Sequence, residues 1–159
     1  MKVIGIIGWK NSGKTFFAQR IIKKLTQKGI NVASIKRAHH DFDIDTPNTD
    51  SYLLRKAGSK QVIVSSSKRW AKITELDNKK EKKLEELLRE LTNTDVVIVE
   101  GFKKELHKKI EIINHSNENY LFNEIENVIA VVTDKKLNTS LPQFKKNEID
   151  LIVNFILKN

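Results

Sequence analysis

Residues 8–15 read Gly8-Trp9-Lys10-Asn11-Ser12-Gly13-Lys14-Thr15, a match to the phosphate-loop pattern G-x-x-x-x-G-K-[ST]. The pattern carries chemistry only between a buried strand and the start of a helix. Both flanks are present. Lys2 to Ile7 is an apolar run of strand length, and Phe16, Phe17, Ile21, Ile22 and Leu25 then recur at helical spacing up to Gly29, a good residue for ending a helix. In that setting Gly8 and Gly13 let the backbone wrap a phosphate chain, so that successive N–H groups and the helix N-terminus face its oxygens. Lys14 reaches the β- and γ-phosphates, and the Thr15 hydroxyl is placed to ligate Mg²⁺. The bland alternative is a glycine-containing turn with an accidental Lys-Thr.

The rest of the chain alternates in the same way. Strands are predicted at Ile30 to Lys36, Gln61 to Ser65, Arg69 to Thr74, Asp95 to Val99 and Asn127 to Val132, with Lys109 to Ile113 as a half-exposed strand. Helices are predicted after Thr49 as a cap, through Ala57, and over residues 79–92, where Leu84, Leu87, Leu88 and Leu91 form a stripe that Asp77 or Asn78 caps. A last helix over 145–157 carries Ile149, Ile152, Val153 and Ile156. Helices alternating with continuously apolar strands predict an α/β, P-loop NTPase-like fold, a mainly parallel sheet flanked by helices. At 159 residues, without a linker or repeat, one domain over 1–159 is expected.

Composition narrows the chemistry. The chain has no Cys, which excludes disulfides, thiolate metal sites and cysteine nucleophiles. No apolar run approaches the roughly 20 residues that span a bilayer, and no secretory signal is apparent, so no membrane partner and a cytoplasmic location are expected. The net charge is +9, with a calculated pI near 9.6. Residues 1–40 hold nine basic side chains and no Asp or Glu, whereas the remainder is nearly balanced. An anionic ligand near the N-terminus follows naturally. Aromatics interleaved with basic residues, the signature of a nucleic-acid strip, are not found, so nucleic acid is not the expected partner. No serine stands in a G-x-S-x-G elbow.

Further candidates lie at predicted strand ends. Glu100, closing Ile98-Val99-Glu100-Gly101, is an acid at the carboxyl end of a central strand, where it can hold Mg²⁺ directly or through water. The alternative is a surface Glu before a turn. Asp41, Asp43 and Asp45 alternate after the second strand, placed either to position Mg²⁺ or an attacking water, or to form a solvated acidic loop. His39 and His40 precede them, but adjacent His side chains of a strand cannot face one metal. Asp134, after Val131-Val132-Thr133, is a weak candidate for reading guanine N1–H and N2–H₂. Trp9 and Trp70 are candidates for stacking on a base or pterin.

Taken together, residues 8–15, Ile35-Lys36-Arg37-Ala38-His39-His40-Asp41-Phe42-Asp43-Ile44-Asp45, Asp50-Ser51-Tyr52, Arg55-Lys56-Ala57-Gly58 and Val97-Ile98-Val99-Glu100-Gly101-Phe102-Lys103 occur in a distinctive order and spacing. The chain resembles the molybdopterin-guanine dinucleotide biosynthesis adaptor (MobB) family over at least residues 1–113. It departs from the family's common residues at Arg37, Asn48 and His107-Lys108. The resemblance implies a GTP-binding protein with Mg²⁺ and weak GTP hydrolysis, usually a homodimer. It implies a partner, a MobA-like molybdopterin guanylyltransferase, and leaves direct contact with molybdopterin open. Residues 8–15 would be the phosphate loop, Asp43, Asp45 and Glu100 the magnesium-side acids, and Asp50-Ser51 part of the lining. The alternative is a small-molecule or nucleotide kinase using the same loop. Such kinases usually carry a mobile Arg-rich lid, whereas this chain has only five Arg, scattered along its length.

Overall fold

A computed structural model describes residues 1–38, 41–76, 80–114 and 119–159. The elements in chain order are β1 (Lys2–Ile7), α1 (Lys14–Gln27), β2 (Val32–Lys36), α2 (Asp50–Lys56), β3 (Gln61–Ser65), β4 (Trp70–Thr74), α3 (Leu84–Leu88), β5 (Val96–Glu100), β6 (Lys108–Ile112), β7 (Val128–Val132), β8 (Gln143–Phe144) and α4 (Ile149–Lys158). A 3₁₀ turn spans Leu121–Asn123. The chain divides into two compact units, residues 1–37 with 84–159, and residues 38–83.

The first unit is a six-stranded sheet in the order β2-β5-β1-β6-β7-β8, parallel throughout. This is the α/β architecture that the alternating pattern predicts. Alternation along each strand separates two cores. Ile4, Ile6, Val96, Ile98, Ile110, Ile112, Ala130 and Val132 face α1 and α4, which contribute Phe17, Ile21, Leu25, Ile152, Val153 and Ile156. On the other face Ile35, Val97, Val99, Leu84 and Phe102 are buried together. Each fully buried branched side chain removes enough apolar surface to contribute about 1.5–3 kcal/mol before entropy is counted. The phosphate-loop context is therefore held by packing on both flanks: Ile4 and Ile6 in β1, Phe17 and Ile21 in α1.

The second unit holds α2 and the antiparallel hairpin β3–β4, paired from Gln61 with Thr74 to Ser65 with Trp70. Ser66 Oγ closes the connection by accepting the N–H groups of Lys68 and Arg69.

Four local expectations are corrected. Residues 79–92 do not form one long helix among the described residues. Helical structure covers only Leu84–Leu88, and the chain then tightens, Glu90 N–H donating to Leu87 O and Leu91 N–H to Leu88 O. Leu87, Leu88 and Leu91 still pack on the second core. The proposed caps at Asp77 and Asn78 lie outside the described residues, as do His39 and His40. Thr49 occupies the cap position of α2, but its hydroxyl donates to Thr46 O at 2.7 Å instead of capping the helix. The last helix begins at Ile149 because Glu148 bends back to accept the Lys145 N–H at 2.8 Å.

The fourth correction is the most informative. Lys109 to Ile113 was expected to be half exposed, yet Lys109 and Glu111 are each only 1% exposed. β6 is flanked by β1 and β7, so neither edge is free. Lys109 and Glu111 are buried with dedicated partners. Lys109 Nζ donates to the carbonyls of Glu105, His107 (2.8 Å) and Glu126 (3.1 Å). Glu111 accepts the N–H groups of Leu121 and Phe122, both at 2.9 Å. Burial raises the Glu111 pKa, and these two donors pull it back.

Candidate functional site

The loop between β1 and α1 begins and ends on glycine in the positive-φ region, Gly8 at 151° and Gly13 at 92°. A Cβ on Gly8 would lie 2.4 Å from Ile112 O and 2.5 Å from Ser12 Oγ, so only glycine fits there. Asn11 also has positive φ, at 63°. Inside the loop Ser12 N–H donates to Trp9 O at 3.2 Å, and the buried Ser12 hydroxyl has no hydrogen-bond partner. α1 starts with neither a side-chain cap nor an acid in its first turn. Its N-terminal N–H groups thus keep their positive end for an anion.

Three side chains converge at the carboxyl ends of β1, β5 and β2. Thr15 Oγ1 donates to Glu100, 3.0 Å from each carboxylate oxygen. Lys36 Nζ stands 3.6 Å from the same carboxylate. The register sets Lys36 of β2 beside Glu100, which pairs on its other side with Ile6 of β1, and Thr15 reaches the carboxylate from the first turn of α1. Lys14 Nζ donates to Trp9 O at 2.7 Å. Its pKa is lowered chiefly by desolvation, with Glu100 opposing and the like charges of Lys103 and Lys36 adding to the fall. The Trp9 indole N–H donates to Asn119 O at 2.7 Å, and Lys103 Nζ lies 5.4 Å from the centre of its ring. Lys10 is exposed beside it.

A hydroxyl and a carboxylate at the mouth of a phosphate loop are hard oxygen donors of the kind that suits Mg²⁺, which takes one or two carboxylates and completes its shell with phosphate and water. Among the described residues no group of three or more His, Asp or Glu could hold a metal unaided. A hydroxyl and a carboxylate alone fit an ion brought with a phosphate ligand.

The other candidates have different surroundings. Asp43 and Asp45 belong to the second unit, where Arg55 binds them at 2.6 and 2.8 Å while its other nitrogen meets Glu75 at 3.0 Å. The Arg55 side chain is only 10% exposed. This partner holds the Asp45 carboxyl below its usual range. Asp134 follows β7, two strands from β1, and its Oδ1 accepts the Lys146 N–H at 3.2 Å. Asp95, at the opposite end of β5 from Glu100, accepts the Asn31 N–H at 2.9 Å. Trp70 is exposed on β4. Motif reading gave Lys36 and Lys103 no role. The signal for Lys36 was its place as the last residue of a strand, which only the sheet order turns into a neighbour of Glu100.

A model of the family described as MobB, molybdopterin guanine dinucleotide synthesis protein B, matches residues 3–134. The chain belongs to the MobB family. It is 35% identical to the molybdopterin-guanine dinucleotide biosynthesis adapter protein of Escherichia coli K12, covering 98% of this chain and 91% of that one. It is 36% identical to the adapter protein of Haemophilus influenzae, covering 97% and 86%. The crystal structure of Bacillus subtilis MobB superposes with a TM-score of 0.78 at 25% identity, over 99% of this chain and 97% of that one. The MobB resemblance drawn from residues 1–113 thus extends to Asp134 in the family model and across nearly the whole chain in the relatives. Among the described residues no helix is long and apolar enough to cross a membrane.

Proposed function

We propose that this MobB-family chain binds GTP with Mg²⁺ in the loop of residues 8–15 and acts in the cytoplasm as an adapter to a MobA-like molybdopterin guanylyltransferase. The observation that carries the nucleotide reading is the meeting of Thr15 and Glu100 at the mouth of a glycine-bounded loop whose helix start has no side-chain cap. In this reading the loop N–H groups bind the phosphates, and Lys14 exchanges the Trp9 carbonyl for phosphate oxygen. Thr15 and Glu100 would hold Mg²⁺, which when bound neutralises the β/γ oxygens. Hydrolysis is slow in-line attack by water, with Lys14 and the loop N–H groups opposing the charge that develops. Asp43 and Asp45 keep their proposed part on the magnesium side, and Asp134 is the proposed guanine reader. The homodimer and any molybdopterin contact belong to the same proposal.

Calorimetric titration with GTP and ATP, in Mg²⁺ and in EDTA, tests the nucleotide claim. GTP is expected to bind more tightly, and Lys14→Ala to abolish binding in a folded protein. A site that pairs guanine N1–H and N2–H₂ leaves its acid mismatched on adenine, a difference worth several kcal/mol. A reconstituted mixture of molybdopterin, GTP and transferase should yield more dinucleotide cofactor when this protein is added. ATP competing equally with GTP, or robust phosphorylation of a small acceptor, would favour the kinase alternative.

A further inference from the structure

The sheet register sets a second cation beside the metal-side carboxylate, and its surroundings differ from those of an ordinary surface lysine. Lys36 is the last residue of β2 and points to the same face as Glu100, across one row of the sheet from it. It is 64% exposed, and its 3.6 Å pair with Glu100 is long for an ion pair. Such a pair contributes little and is readily exchanged. Glu100 is also held by the Thr15 hydroxyl. The carboxylate can turn to a divalent cation only by giving up or sharing both partners, which leaves the Lys36 ammonium without its counter-charge.

The cluster around Glu100 carries more positive than negative charge. Lys36 and Lys103 both act on Lys14 as like charges, and Glu100 is the acid that opposes them there. Lys14 lies on the loop itself. Lys36 lies two strands away from it, beyond Glu100, at roughly 10 Å by strand spacing. Lys14 would reach both the β- and γ-phosphates in the reading above, and a γ-phosphate sharing a divalent ion with Glu100 would come within reach of Lys36. A terminal phosphate also adds negative charge that a diphosphate lacks.

We infer that Lys36 is the residue through which this site distinguishes nucleoside triphosphate from diphosphate, held in reserve on Glu100 until the terminal phosphate arrives. The inference rests on the nucleotide-binding reading above. Lys36 is a specificity residue in this scheme, distinct from the loop lysine that serves both ligands.

The test is calorimetry on the full chain with a β,γ-imido analogue of GTP and with GDP, each in Mg²⁺ and in EDTA, at physiological ionic strength. Lys36→Met is expected to weaken the triphosphate analogue roughly tenfold, the loss of one charge-assisted contact, and GDP less than about twofold. Lys36→Arg should restore most of the difference. Lys28→Met, which removes the same charge from an exposed position at the far end of α1, should leave the triphosphate-to-diphosphate ratio unchanged. Equal losses for the two ligands in Lys36→Met, no loss for either, or the same ratio change in Lys28→Met overturns the role of Lys36 while the loop assignment stands. Wild-type protein that binds neither ligand overturns both.

Discussion

Glu100 gathers around itself the groups on which the site's electrostatics depend: the Thr15 hydroxyl, the Lys36 ammonium and, through charge alone, Lys14. Replacing it with Gln keeps the shape and removes the charge. Glu100→Gln is expected to weaken GTP binding roughly tenfold in Mg²⁺ and less than twofold in EDTA, because the carboxylate matters most when a divalent ion shares the site. Equal losses in both buffers, by the same titration, would make Glu100 a structural residue. Lys109 is the opposite kind of charge, wholly enclosed and satisfied by backbone. Lys109→Met leaves the carbonyls of Glu105, His107 and Glu126 short of a donor. It should cost about 2–4 kcal/mol in urea unfolding, with little effect on nucleotide affinity. A cost below 0.5 kcal/mol, of the order of surface changes, would count against that accounting. Residue identity made the loop legible because glycine, lysine and threonine have few interchangeable substitutes there. It misled at Lys109 and Glu111, whose side chains look solvated until the carbonyls and N–H groups that meet them are located.

At the scale of elements, periodicity located β1, α1, β3, β5 and β7 within a residue or two, because each has a continuous apolar run or stripe that packing needs. It failed where packing does not repeat. The two-residue β8 has no period, and the leucine stripe packs on the second core although its helix stops at Leu88, before Leu91. The segment between β5 and β6 carries its own consequence. The His107 ring lies against β1, such that a Cβ on Gly5 would stand 2.5 Å from its Nε2, and neither ring nitrogen has a hydrogen-bond partner. Burial, and secondarily the charge of Lys109, lower the His107 pKa to about 4 from 6.5. The unfolded chain thus binds the proton more readily than the folded one. The contribution is fully present above about pH 6.5 and is lost as pH falls toward 4. Urea midpoints measured across that range should fall for the wild type, and fall less steeply for His107→Phe. Parallel curves would show that other groups control the acid limb. Gly5→Ala should lower the midpoint at every pH by crowding the same ring.

For the whole molecule, the two units differ in how they are stabilised. The sheet of the first unit has a buried core on both faces, whereas in the second unit Val62 is the only buried apolar side chain among the described residues. A two-stranded hairpin with one short helix is marginal alone in water. The Arg55 ion pairs with Asp43, Asp45 and Glu75 tie the loop, helix and hairpin together, but they do not replace a core. Leu53, Leu54, Ile63, Val64 and Trp70 are meanwhile exposed, and a groove of about 450 Å³ between α2 and β3 is lined by Leu54, Val62, Ile63 and Val64 with Asp50 and Ser51 at its polar end. Exposed apolar area of this kind marks an association surface. It supports the homodimer proposed for this chain, with the second unit contributing to the interface. Sequence pattern showed the strands of this hairpin but not their exposure, since alternation alone does not say what covers either face. Sedimentation of the wild type at micromolar concentration should therefore give a dimer. Ile63→Asp, which sets a charge on the exposed hairpin face that Ile63 shares with Trp70, should weaken that dimer roughly tenfold or more while GTP affinity changes little. Circular dichroism of the variant separates a lost interface from a lost hairpin. A wild type that sediments as a monomer, or a well-folded Ile63→Asp with an unchanged dimer constant, would remove the second unit from the interface and leave its exposed side chains to another partner.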